Sequence, residues 1–174
     1  ESKDIYLPNG IIPEKNQIIK NPNFATTLEG IAKYGSDYLH GGELGRHIEE
    51  EMKKNDGLIT LDDLVKQKIY YRDSIVGTYK NYTINSVAPV SSGGICLIQM
   101  LNILENFEIE KYKHSDPERI HIIAETFKIV FADRYKYIGD PEYIDIPIKS
   151  LLSKKYATQR ARQINLKKSQ VYQY

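Results

Sequence analysis

The chain of 174 residues is 41% hydrophobic and 27% charged, a composition that suits a soluble body with a core of its own. Lysine and arginine number 24 against 23 acids, and a net charge of +1 lacks the basic excess that a phosphate backbone selects, so nucleic acid is not an expected partner. The single cysteine, Cys96, excludes an internal disulfide and a cysteine zinc cage, and no apolar run nears the roughly 20 residues that span a bilayer.

Residues 1–4 form no basic stretch ahead of an apolar one, so no signal peptide is visible; a mature secreted chain, an excised fragment and a cytosolic protein would share this pattern. The bias towards Ile, Lys, Asn and Tyr follows AT-rich codons, which argues against the 14 tyrosines as a base-stacking platform.

Residues 1–20 hold Pro8, Asn9-Gly10 and Pro13 with no sustained period, which predicts an extended, turn-rich lead-in. Asn21-Pro22 is a helix start, with Asn at the N-cap and Pro at the first helical position. Phe24, Leu28, Ile31 and Ala32 follow at helical spacing, and Gly35 supplies a left-handed stop. A turn over 36–40 leads to a helix with Leu44, Ile48 and Met52 in one stripe and Glu49/Lys53 and Glu50/Lys54 as i,i+4 pairs. Thr60 and Asp63 read as a capping box stapled by Ile59 and Leu64, which accounts for the adjacent acids Asp62 and Asp63 without acid–base chemistry.

Residues 74–79 and 82–87 alternate apolar and polar around Lys80-Asn81, the pattern of a β-hairpin. After Ala88-Pro89, Ser91-Ser92-Gly93-Gly94 opens a helix to about residue 106, apolar nearly all round from Ile95 to Leu104. Asp116-Pro117 starts the longest helix, to about residue 137, with Ile120, Ile123, Phe127, Val130 and Phe131 as the expected core side. Gly139-Asp140-Pro141 ends it; a turn over 149–152, a helix over 153–164 and a polar tail over 166–174 complete a chain with no evident linker between domains.

Three constellations could carry chemistry. Val90-Ser91-Ser92-Gly93-Gly94 sits between strand and helix, where a serine nucleophile elbow would lie, but Val90 stands at the elbow's first glycine. Its partners would be drawn from Asp133 or Asp140 and His114 or His121, in no convincing order; the alternative has Ser91 or Ser92 as N-cap and the glycines allowing a close backbone approach. His121 and Glu125, at i,i+4, could ligate a metal, yet Lys128 on the same face would compete for the carboxylate, which favours a polar network joining two elements. Asn81-Tyr82-Thr83 fits a glycosylation sequon, and no glycine pattern forms a nucleotide phosphate loop. From the residues alone the chain is α+β, a mostly helical unit with a short β-hairpin and no self-contained active site.

Several segments in series carry a family resemblance: Asn21-Pro22 with Ala25-Thr26-Thr27-Leu28; Gly57-Leu58-Ile59-Thr60-Leu61-Asp62-Asp63-Leu64; Ala88-Pro89-Val90-Ser91-Ser92-Gly93-Gly94 with Gln99-Met100-Leu101-Asn102-Ile103-Leu104-Glu105; and Phe131-Ala132-Asp133-Arg134 with Tyr137-Ile138-Gly139-Asp140-Pro141. Together, over about residues 21–165, they resemble the C-terminal part of the large subunit of γ-glutamyltransferases (γ-glutamyltranspeptidases). Val90 departs from the family, which often has a further proline there.

The resemblance implies part of an N-terminal nucleophile hydrolase, a four-layer αββα sandwich whose precursor cleaves itself so that a threonine begins the small subunit. That hydroxyl would attack the γ-glutamyl amide of glutathione or a related γ-glutamyl compound and pass the acyl group to water, amino acids or peptides, with no metal or organic cofactor. The implied nucleophile, the oxyanion-lining serines and the donor-binding arginine all belong to stretches outside this chain. Hence no catalytic, cofactor-binding or metal residue is expected within it; Thr158 lies outside the nucleophile's motif, and Ser91-Ser92-Gly93-Gly94 is distinct from the oxyanion-lining motif. Asp133 and Arg134 are expected to form a structural ion pair or caps. The implied partner is the small subunit of the same precursor, the implied location periplasmic or extracellular in a bacterium, and cut apolar edges would favour self-association. A poly-γ-glutamate capsule depolymerase of the same fold, and a non-catalytic module that only docks the small subunit, are the alternatives.

Overall fold

A computed structural model describes residues 2–173. The chain packs as two compact units that divide between Tyr70 and Tyr71, where the sequence reading expects no division. The dividing stretch, residues 67–74, has no regular secondary structure, and its lysine, tyrosine and arginine side chains hide it from a search for Gly-, Ser- or Pro-rich linkers.

The first unit holds helices α1 (Ser2–Tyr6), α2 (Pro22–Tyr34), α3 (Asp37–His40), α4 (Glu43–Lys54) and α5 (Leu61–Lys66). The expected extended lead-in is corrected at α1 and at a 3-10 turn over Pro8–Gly10, elements too short to show a period in sequence. α2 begins as read, with Asn21 Oδ1 accepting the Phe24 amide at 3.0 Å, and ends on Gly35 at a φ of 67°, open to glycine without strain. Phe24, Leu28 and Ile31, which mark the helical spacing, are exposed, and contact with α3 runs through Gly30 against the Tyr38 ring. On α4 the Glu49–Lys53 pair forms at 3.0 Å, but Lys54 pairs with Glu51 rather than Glu50. The capping box of α5 is present, with Thr60 and Asp63 satisfying each other's amides.

In the second unit β1 (Ile75–Tyr79) and β2 (Tyr82–Ser86) form an antiparallel hairpin that turns at Lys80-Asn81, with Tyr79 opposite Tyr82. Helices α6 (Gly93–Leu104), α7 (Pro117–Tyr137), α8 (Ile148–Leu151) and α9 (Lys154–Ala161) follow. α6 is central: it contacts both strands, α7, α8 and α9. Hence it must be apolar on most sides, and Ile95, Cys96, Ile98, Met100 and Ile103 are all buried.

One apolar cluster joins α6 to Ile129 and Val130 of α7 and to Ala157 and Ala161 of α9; another joins Ile95 to Ile146 and Leu151. Gly94 brings the start of α6 against the end of β2, because a Cβ there would stand 2.3 Å from the Val87 carbonyl oxygen.

The expected core side of α7 is also corrected. Val130 is buried, but Ile120, Phe127 and Phe131 are exposed and Ile123 is half-buried; the buried stripe runs through Ile122, Thr126, Ile129 and Ala132, with Glu125 and Asp133 among them. The helix has two apolar sides, and α6 covers the one that also carries two acids.

Candidate functional site

Ser92 occupies the N-cap of α6 in helical backbone geometry, and its side chain makes no cap bond. Its hydroxyl oxygen instead accepts Arg134 Nε at 2.9 Å, a donor with no acceptor capacity for the serine proton. Ser91 Oγ accepts the Gly93 amide at 3.3 Å. The elbow's other candidates lie elsewhere. Asp140 takes the Glu142 amide at 3.0 Å, and a ring nitrogen of His121 meets the Asn165 carbonyl oxygen at 2.7 Å. Since a carbonyl only accepts, that nitrogen carries the proton. His114 is exposed. Burial pushes the Cys96 thiol up, against smaller pulls from Arg134 and Ser92, so it is not an activated nucleophile.

Asp133 is the centre of a buried polar network. Arg160 Nη2 reaches its Oδ1 at 2.6 Å, Tyr156 donates to its Oδ2 at 3.0 Å, and Gln99 Nε2 donates to the same oxygen. The expected Asp133–Arg134 ion pair is therefore corrected: neighbours in sequence point about 100° apart on a helix, and the cation that meets Asp133 comes from α9. Burial and the neighbouring Asp133 charge push the Tyr156 hydroxyl up to about 12. The network ties α6, α7 and α9 together. Tyr156 and Arg160 are not among the residues picked out from sequence, and Gln99 enters there only as part of a family motif, although a glutamine within an otherwise apolar helix already signals a buried partner.

Two turns earlier on α7, four donors converge on the buried carboxylate of Glu125. Lys128 Nζ and Ser169 Oγ reach Oε1 at 2.8 and 3.0 Å; the Gln170 amide and the Tyr172 hydroxyl reach Oε2 at 3.2 and 2.6 Å. Burial raises this carboxyl, yet the hydrogen bonds from Lys128, Tyr172, Gln170 and Ser169 together outweigh it and bring it down to about 2. Burial and the Glu125 charge push Tyr172 up. His121 and Glu125 thus serve separate partners, and the polar network weighed against a metal site is what the geometry holds. Among the described residues no group of three His, Cys, Asp or Glu side chains is placed to ligate an ion.

The remaining candidates have local roles. Asp62 pairs with Lys66, Asn81 is exposed in the hairpin turn, and Thr158 Oγ1 donates to Asn106 at 2.9 Å. No helix among the described residues is long and apolar enough to cross a membrane.

Among the described residues, the buried acids Asp133 and Glu125 hold helices and tail together, and Ser92 faces the Arg134 guanidinium. The family model for gamma-glutamyltranspeptidase matches residues 1–174, and the chain belongs to that family. It is 40% identical over 168 residues to a glutathione hydrolase proenzyme of Escherichia coli, a match covering 97% of this chain and 29% of the relative. It is 36% identical over 165 residues to the acylase ACY 1 proenzyme of a Pseudomonas strain, covering 95% and 30%. The crystal structure of Helicobacter pylori gamma-glutamyltranspeptidase superposes with a TM-score of 0.85 at 33% identity, over 99% of this chain and 51% of that one. The chain therefore spans about 30% of the curated relatives and about half of that solved chain. The fold is that of the N-terminal nucleophile hydrolase family, represented here by its helices and one hairpin.

Proposed function

We propose that this chain is the C-terminal part of the large-subunit region of a bacterial γ-glutamyltransferase and glutathione hydrolase, and that it acts there as scaffold. In the whole protein, an N-terminal threonine of the small subunit would cleave the γ-glutamyl amide of glutathione and pass the acyl group to water, an amino acid or a peptide. The observation that carries this reading is the use of the polar core: Asp133, Glu125 and Arg160 tie helices and tail together, and at the strand-to-helix turn Ser92 faces a guanidinium while Ser91 caps the Gly93 amide. A periplasmic or extracellular site of action accords with bacterial relatives named as proenzymes.

The test compares this chain with the full-length protein on a chromogenic γ-glutamyl donor, glutathione, poly-γ-glutamate and an N-acyl substrate. The expected result is γ-glutamyl release by the full-length protein alone, with glutathione preferred. Turnover by the chain by itself, abolished in Ser92→Ala, would overturn the scaffold role, and a preference for poly-γ-glutamate or the N-acyl substrate would move the assignment within the family.

A further inference from the structure

Residues 165–172 have no helix or strand, and their anchors come from α7. Asn165 turns the chain by accepting the Lys167 and Lys168 amides at 2.9 and 3.1 Å, while its carbonyl is held by His121. One helical turn further along, Glu125 takes the Gln170 amide and the hydroxyls of Ser169 and Tyr172. Lys128 closes the arrangement, bonding Ser169 Oγ at 2.9 Å and lying 5.5 Å from the Tyr172 ring centre. That ring packs on the cluster of Met100, Ile103 and Ile129, whereas Leu166 and Val171 are exposed. A segment without a backbone ladder keeps a single course only if side chains hold it, and here one buried carboxylate takes three of its donors.

The geometry points to Glu125 as a positioning residue for self-cleavage of the precursor: by fastening residues 165–172 to α7, it sets the direction in which the polypeptide leaves this layer towards the scissile bond. This rests on the reading above that the chain is part of a self-cleaving precursor. Cleavage of that kind needs a hydroxyl and a carbonyl held in near-attack geometry, and a small misplacement of the incoming strand is enough to slow it greatly. A glutamine at 125 would turn an amide NH2 towards two of the four converging donors, so an isosteric change unfastens the strap without leaving a cavity.

The experiment uses the full-length precursor and follows its division into two chains for wild type, Glu125→Gln, Tyr172→Phe and Ser169→Ala, with hydrogen exchange across residues 165–172 and thermal unfolding on each. Ile95→Val, in the cluster with Ile146 and Leu151, serves as a destabilised control away from the strap. Glu125→Gln is expected to divide about tenfold more slowly or worse, with faster exchange at the Gln170 amide, and the two hydroxyl variants to be intermediate. Slowing should follow strap exchange rather than melting temperature, leaving Ile95→Val near the wild-type rate. If Glu125→Gln fails to fold, the hydroxyl variants decide the matter by the same criterion.

A strap that opens with no change in rate, a rate that falls with the strap still protected, or slowing that follows melting temperature across all variants overturns the inference alone. A wild-type precursor that never divides overturns the reading beneath it as well.

Discussion

Arg160 of α9 places a guanidinium nitrogen 2.6 Å from Asp133 Oδ1 on α7, and both side chains are buried. The adjacent Arg134 turns away to Ser92 and lies 5.8 Å from the Phe131 ring centre. The two arginines flank the same layer and carry unequal energetic weight.

Arg160→Ala should therefore cost about 3 to 5 kcal/mol, since it leaves the Asp133 charge buried without its cation. Arg134→Ala should cost about 1 kcal/mol, the loss of one hydrogen bond in a half-buried setting. Urea unfolding of both variants checks the order. Equal losses would mean that Asp133 draws its compensation from Gln99 and Tyr156 rather than from Arg160.

Glu125 makes stability depend on acid. Its folded value of about 2 lies below the ordinary 4.5, so its contribution is fully present above about pH 4.5 and is lost as pH falls towards 2. The gap in unfolding free energy between wild type and Glu125→Gln, on the order of 2 kcal/mol at pH 7 after screening at the exposed Lys128 end, should shrink across that window. A gap that stays constant from pH 7 to pH 2 would sink the assignment of these bonds to an ionised carboxylate.

Adjacent glycines at the start of α6 should respond oppositely to alanine. At Gly94 the new Cβ would stand 2.3 Å from a backbone oxygen, and relief by backbone shift costs about 1 to 3 kcal/mol. At Gly93 the nearest atom, Ser91 Oγ, is 3.5 Å away, so alanine fits and should be neutral or stabilising by up to about 1 kcal/mol. Thermal melts of the two single variants decide.

The uncovered side of α7 should make this chain associate with itself. Ile120, Phe127 and Phe131 are exposed along one stripe, and the two phenylalanine rings stack at 6.5 Å. Sedimentation across a concentration series should show association that weakens in a Phe127→Ser/Phe131→Ser double variant. A wild-type chain that stays monomeric throughout the series would count against the stripe as a sticky surface.

Much of the architecture was legible because its signals are short-range. Asn21-Pro22, Gly35, the Thr60/Asp63 box and the alternation around Lys80-Asn81 each act within a few residues, and each stands in the structure where the sequence puts it. The wrong side assigned to α7 has a physical origin. Periodicity finds an apolar stripe, but burial needs a second surface, and α7 offers two stripes of which α6 covers one. The functional relationships were harder still: Glu125 meets Ser169, Gln170 and Tyr172, and Asp133 meets Arg160, across separations that leave no local trace.

By itself, then, the order of residues determined the longer helices, the caps of α2 and α5, the hairpin and the family, because capping, turn chemistry and motif order are written in neighbouring side chains. Tertiary structure alone decided which face of each helix is covered, which cation answers Asp133, and that the polar tail is fastened rather than loose. Those outcomes depend on which distant groups meet out of water, where a buried carboxylate must collect every donor within reach.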